Sequence, residues 1–246
     1  MGVLAFVFGL IFGSFFNVVI YRLPRGQSLI RPGSHCPSCG HPLAPLDLLP
    51  LLSFIFFRGR CRYCGGAISR RYPLVELLTG ALFVLAVYLF GLSWEALAAI
   101  VFLSLALIIS FIDLDWQIIP DSLVLTGLFS GLILNFFRSR PGVGAGLAGM
   151  IIGFVLMAAL FYLSGGRMGG GDVKYAAVIG LFTGGKLVWV ALFLAFILGA
   201  SVSLLLILSR RRSLRDPIPF GPFLALGGSI ALLWGEEIFA WYLGLF

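Results

Sequence analysis

Residues 144–172 read GAGLAGMIIGFVLMAALFYLSGGRMGGGD, an uncharged run, a glycine-rich turn and then Asp172. About 20 apolar residues are what a helix needs to cross a bilayer. A carboxylate at the edge of such a helix is costly unless it is paired, hydrated or used. Working outward, 60% of the chain is hydrophobic and only 11% is charged, which excludes an ordinary soluble domain. The apolar runs predict an all-α, polytopic membrane protein of about eight spans: 3–21, 74–92, 96–112, 122–137, 144–163, 173–184, 187–208 and 218–245. The sixth is too short to cross upright and meets the seventh at Thr183-Gly184-Gly185-Lys186. Residues 1–21 lack a basic n-region, so they read as a span rather than a cleaved signal.

Orientation follows from the basic residues. With the N-terminus outside and the spans alternating, Arg22, Arg25, Arg31, Arg58, Arg60, Arg62, Arg70, Arg71, Arg167, Lys174, Arg210, Arg211, Arg212 and Arg215 all fall inside. Only Arg138, Arg140 and Lys186 of the 17 Lys and Arg remain outside. The opposite orientation inverts the positive-inside rule, so both termini are expected outside. The net charge of +7 then reflects topology and contact with anionic lipid, with no sign of nucleic-acid binding.

Between the first and second spans, residues 22–72 form a Pro-, Gly-, Cys- and Arg-rich segment expected in the cytoplasm. The domain reading is therefore a first span (1–21), this domain (22–72) and a transmembrane domain (73–246). Cys36-Pro37-Ser38-Cys39-Gly40 and Cys61-Arg62-Tyr63-Cys64-Gly65 match zinc-ribbon spacing. Each C-x2-C turn can aim two thiolates at one ion, and a reducing compartment argues against disulfides. Cys36, Cys39, Cys61 and Cys64 are thus the expected ligands of a structural Zn2+. The apolar stretch 46–57 has two readings, a strip lying on the membrane surface or the domain's own core.

The connection between spans three and four holds Asp113, Asp115 and Asp121. On a helix, Asp113 and Asp115 lie about 200° apart, so one of them faces the bundle. Asp121 suits the cap of span four. Asp172 follows Gly169, Gly170 and Gly171, which let an extended peptide approach closely; a helix-capping role for Asp172 is the alternative. Two carboxylates about 60 residues apart on one side of the bilayer can share a proton and hydrolyse a peptide bond.

These blocks resemble the type IV prepilin peptidases, a family of GxGD aspartyl proteases, over nearly the whole chain. The resemblance runs through Gly13-Ser14-Phe15-Phe16-Asn17 to Leu23-Pro24, both cysteine pairs, Arg71-Tyr72-Pro73-Leu74-Val75-Glu76, Asp113 seven residues before Pro120, Gly169-Gly170-Gly171-Asp172-Val173-Lys174, and Pro219-Phe220-Gly221-Pro222. It implies that Asp113, not Asp115, pairs with Asp172 as the catalytic dyad. It also implies a multi-pass protein of the bacterial cytoplasmic membrane that cuts leaders from prepilins and type II secretion pseudopilins at the cytoplasmic face. Members with the cysteine domain usually also methylate the new N-terminus with S-adenosylmethionine.

The residues themselves show no G-x-G-x-x-G following a strand and no room for a Rossmann domain in the roughly 50 residues between the first two spans. Glu76, at the entrance of span two, is a candidate for contact with the cofactor, the amine or a substrate charge, or for pairing with Arg70 or Arg71. A peptidase without methyl transfer and a proton-coupled transporter are the competing readings. The transporter should place its carboxylates near the midplane and show repeat symmetry, and neither is visible.

Overall fold

The computed structural model describes residues 1–165, 168–209 and 218–244, so Arg167 and the basic run 210–216 lie outside the described residues. The described residues form helices and short turns without a strand. Six helices are long and apolar enough to cross a membrane, and Asp121–Phe137 is shorter. The chain divides into two compact units, Met1–Gly91 and Leu92–Phe246.

In the first unit, α1 (Gly2–Arg22) packs on α3 (Arg71–Phe90). Lipid provides no hydrophobic drive for two apolar helices to associate, so close backbone packing must do it. A Cβ at Gly13 would lie 2.7 Å from the Glu76 Cα, and only glycine fits there. One turn on, Asn17 donates to the carbonyls of Gly13 and Tyr72. Arg22, buried at the end of α1, donates to the carbonyls of Ser28, Pro32 and Gly33. A residue that reads as a topology signal thus also ties down the chain entering the Cys-rich segment. In the stretch 46–57, α2 (Leu52–Phe56) exposes Ile55 and Phe56 at 68% and 75%. These side chains are not the segment's core.

The second unit holds α4 (Trp94–Trp116), α5 (Asp121–Phe137), α6 (Gly142–Leu163), α7 (Gly170–Leu208) and α8 (Gly221–Leu243). Ser93 caps α4 by accepting from the Ala96 N–H. The closest packing is between α6 and α7. A Cβ at Gly149 would sit 2.2 Å from the Gly180 carbonyl oxygen, and one at Gly180 would sit 2.0 Å from that of Gly149. Backbone meets backbone.

The short sixth span expected at 173–184 and the seventh at 187–208 form one 39-residue helix, α7, interrupted at Gly184 (φ 85, ψ 168). That conformation is open to glycine and costly for other residues. The break frees the last carbonyls of the first half of α7, and such groups need partners when buried. Asn135 donates to the Leu181 carbonyl at 2.9 Å and Arg138 to that of Phe182 at 3.3 Å. A cation at a helix C-terminus also suits the helix dipole. Arg138, one of three basic residues assigned outside, is buried here as a cap. With α7 counted as two, the described helices supply eight apolar segments.

Candidate active site and metal site

Asp113 lies in the last turn of α4 and is buried, while Asp115 is exposed, as their angular separation requires. Asp172 occupies the first turn of α7, also buried, and near enough to Asp113 for the two charges to interact. The structure therefore brings together the two aspartates singled out from sequence.

The three glycines before Asp172 do different things. Gly169 is the N-cap of α7, and Asp172 reaches back over it: a Cβ there would lie 3.1 Å from Asp172 Oδ2. Asp172 thus folds toward the cap in the manner of the acidic member of a capping box, so the capping role and proximity to Asp113 coexist. Gly170 faces open space. Gly171 does not, because a Cβ there would meet the Ile119 side chain at 2.9 Å. Of the expected approach loop, Gly170 is the open position, and Gly171 seats the α4–α5 connection.

That connection has a second tether. Asp121 is the first residue of α5, one position past the N-cap, which Pro120 occupies; its carboxylate accepts from Lys174 at 2.7 Å. The expected cap is therefore replaced by an ion pair between α5 and α7. Both partners are at least half exposed, so the pair adds little stability and chiefly fixes register.

A third element reaches Asp113. The Gly221 N–H, at the start of α8, donates to Asp113 Oδ2 at 2.8 Å. Sequence spacing could not reveal this contact across 108 residues.

In the first unit, the four cysteine sulfurs lie within 4.8 Å of one another. A tetrahedral ion with metal–sulfur bonds of about 2.3 Å places its sulfurs about 3.8 Å apart. Cys36 and Cys64 are 3.9 Å apart, so the donor set fits such an ion. The two cysteine turns repeat one geometry. Cys36 N–H donates to His41 O and Gly40 N–H to Cys36 O; Cys61 N–H donates to Gly66 O and Gly65 N–H to Cys61 O. Gly40 and Gly65 take φ near +70°. Backbone N–H groups of Cys39 and Ser38 draw the Cys36 thiol down to about 6. At Cys64 the Gly66 N–H pulls downward, but the thiols of Cys39 and Cys61 outweigh it and push the group up to about 11. The turns are joined by Tyr63, whose hydroxyl donates to Asp47 while its ring packs on His41. Among the described residues the donor cluster consists of the four cysteines, without His35 or His41.

Glu76, in the second turn of α3, is buried; its carboxylate accepts from the Leu51 N–H at 2.8 Å and lies within hydrogen-bonding reach of the Ser14 side chain.

Comparison with known proteins places these features. Residues 7–90 match the bacterial peptidase A24 N-terminal domain, and residues 100–204 match the type IV leader peptidase family. A protein of Aeromonas hydrophila named prepilin leader peptidase/N-methyltransferase is 39% identical, covering 98% of this chain and 93% of that protein. Relatives with the same name from Bacillus subtilis (strain 168) and Pseudomonas aeruginosa are 38% and 36% identical, covering 97% and 96% of this chain and 96% and 91% of their own lengths. No solved structure matches the chain. With its N-terminal and peptidase regions both matched, and relatives aligned nearly end to end, this chain belongs to the type IV leader peptidase family.

Proposed function

We propose that this protein removes the leader peptide from type IV prepilins and type II secretion pseudopilins and then N-methylates the new N-terminus. The observation that carries the reading is the near-full-length likeness to relatives named for both activities, in a chain whose buried Asp113 and Asp172 interact. One carboxylate, ionised, takes a proton from water as its oxygen bonds to the scissile carbonyl carbon. The other, protonated, donates to the carbonyl oxygen. When the C–N bond breaks, the departing amine takes up a proton and both carboxyls return to their starting state. Gly170 gives the extended peptide its approach.

The aspartates work at the cytoplasmic face of the bacterial inner membrane, with both termini outside. Support comes from the distribution that leaves 14 of the 17 Lys and Arg inside. Cys36, Cys39, Cys61 and Cys64 hold Zn2+, which has no open coordination position in a four-thiolate site and so acts structurally. S-adenosylmethionine supplies an electrophilic methyl group for the second reaction. The buried Glu76 carboxylate suits a cationic sulfonium or the amine to be methylated, and would orient either.

The test is incubation of the purified protein in lipid with a prepilin peptide, with and without S-adenosylmethionine, followed by mass analysis. Loss of the leader is expected in both samples and one added methyl only with the donor. Cleavage without methylation would reduce the function to the peptidase; no cleavage of any leader peptide would refute it.

A further inference from the structure

We infer that Gly221 is a positioning residue of the peptidase, holding Asp113 in its working orientation; this rests on the reading of Asp113 as a catalytic carboxylate. The start of α8 has an unusual supply of donors. Phe220 is the N-cap, Gly221 comes first and Pro222 second. Proline has no N–H. The next N–H, of Phe223, turns back to the Phe220 carbonyl at 3.0 Å. Gly221 is left as the outward-pointing donor of the first turn, and its N–H meets Asp113 Oδ2 at 2.8 Å in a buried contact.

A carboxylate held by one oxygen cannot rotate freely, so its other oxygen acquires a fixed direction for proton transfer. The donor is itself held. The Phe220 ring stands 5.2 Å from that of Phe196 on α7, and both Phe220 and Phe223 pack against Gly199. The second half of α7 therefore aims α8 at the end of α4.

The missing side chain matters as much as the N–H. A Cβ on Gly221 would lie 2.8 Å from Asp113 Oδ2, 3.1 Å from Cγ and 3.2 Å from Cβ. An alanine must push the carboxyl aside. In a helix alanine is otherwise the better residue. Position 221 thus separates catalysis from folding.

The experiment uses the full-length protein in lipid with a prepilin peptide, measuring kcat, KM and thermal melting for Gly221→Ala. Displacing a reacting group by about 1 Å, or losing its donor, costs on the order of 100-fold. The expected result is a kcat lowered about 100-fold, KM within about twofold and melting unchanged or higher. Phe220→Ala is the second variant: it adds nothing beside Asp113 but loosens the aim of the N–H, and should lower kcat about tenfold at unchanged KM. Wild-type kcat per folded molecule in both variants would overturn the assignment, as would a rise in KM alone. Asp113→Asn, run alongside, separates the two levels. If it is inactive while Gly221→Ala and Phe220→Ala keep wild-type kcat, Asp113 stands and the role of Gly221 falls. If it is active, the reading of Asp113 falls first.

Discussion

Replacing Gly149 by alanine tests whether the α6–α7 contact sets the position of Asp172. The new Cβ would lie 2.2 Å from the Gly180 carbonyl oxygen, about 1.2 Å short of ordinary contact, which begins near 3.4 Å. The obstacle is backbone, which has no rotamer to retreat into, so the helices must part by about that distance or tilt. Overpacking of this kind costs about 1–3 kcal/mol. Asp172 is carried on the same helix, two turns from Gly180, and a shift near 1 Å at a reacting group lowers rate by on the order of 100-fold. Gly144, on α6 with Gly149, faces open space, so Gly144→Ala should be neutral or slightly stabilising. The assay is prepilin cleavage under saturating substrate together with thermal melting of both variants in one lipid. Equal activity of the two variants, or wild-type kcat in Gly149→Ala, would refute the argument that this glycine contact positions the aspartate.

Asp113→Asn and Asp172→Asn should each abolish cleavage in a folded, membrane-inserted protein, whereas the exposed Asp115→Asn should be mild; turnover and melting together check this. Cleavage against pH should follow a bell, lost in acid as both carboxyls are protonated and in alkali as both ionise, with its optimum well above that of an acid protease; a single acidic optimum near about pH 3 would show that the pair is not tuned to a near-neutral cytosol. Replacing any one of Cys36, Cys39, Cys61 or Cys64 by Ser should release the metal, read as zinc per chain by elemental analysis, and loosen residues 22–72 before the helices. Arg138→Ala should cost about 1–3 kcal/mol by uncapping the Phe182 carbonyl, measured by thermal melting.

The spans were legible because about 20 uncharged residues have few alternatives to a membrane helix, and the cysteine turns because metal spacing is a local property. Asp113 and Asp172 stood out for the opposite reason, as charges where charge is expensive. What was not legible depends on pairs remote in the chain. The pairing of Gly149 with Gly180, the seat of Ile119 on Gly171 and the reach of Gly221 to Asp113 have no periodicity to betray them. Asp121 looked like a cap because capping is its commonest use, yet Lys174 took it from another helix. Asn135 did carry a signal, an amide near the end of an apolar run, and such groups need a partner. Counting Arg138 only as an outside charge hid the second member of the same cap.

The break at Gly184 leaves the half of α7 that carries Asp172 only the stretch 170–183. At 1.5 Å per residue that half is about 21 Å long, against a hydrocarbon layer of about 30 Å. Its far end is closed by a buried guanidinium and an amide. Measured from the Asp172 end, those polar groups close the half-helix short of the far side of such a layer. Lipid tail length thereby becomes a determinant of the enzyme's shape: short-chain bilayers match the half-helix, while long-chain ones must compress around it or strain the cap. A host whose membrane is thicker than the one this chain evolved in would supply the right substrate in the wrong solvent.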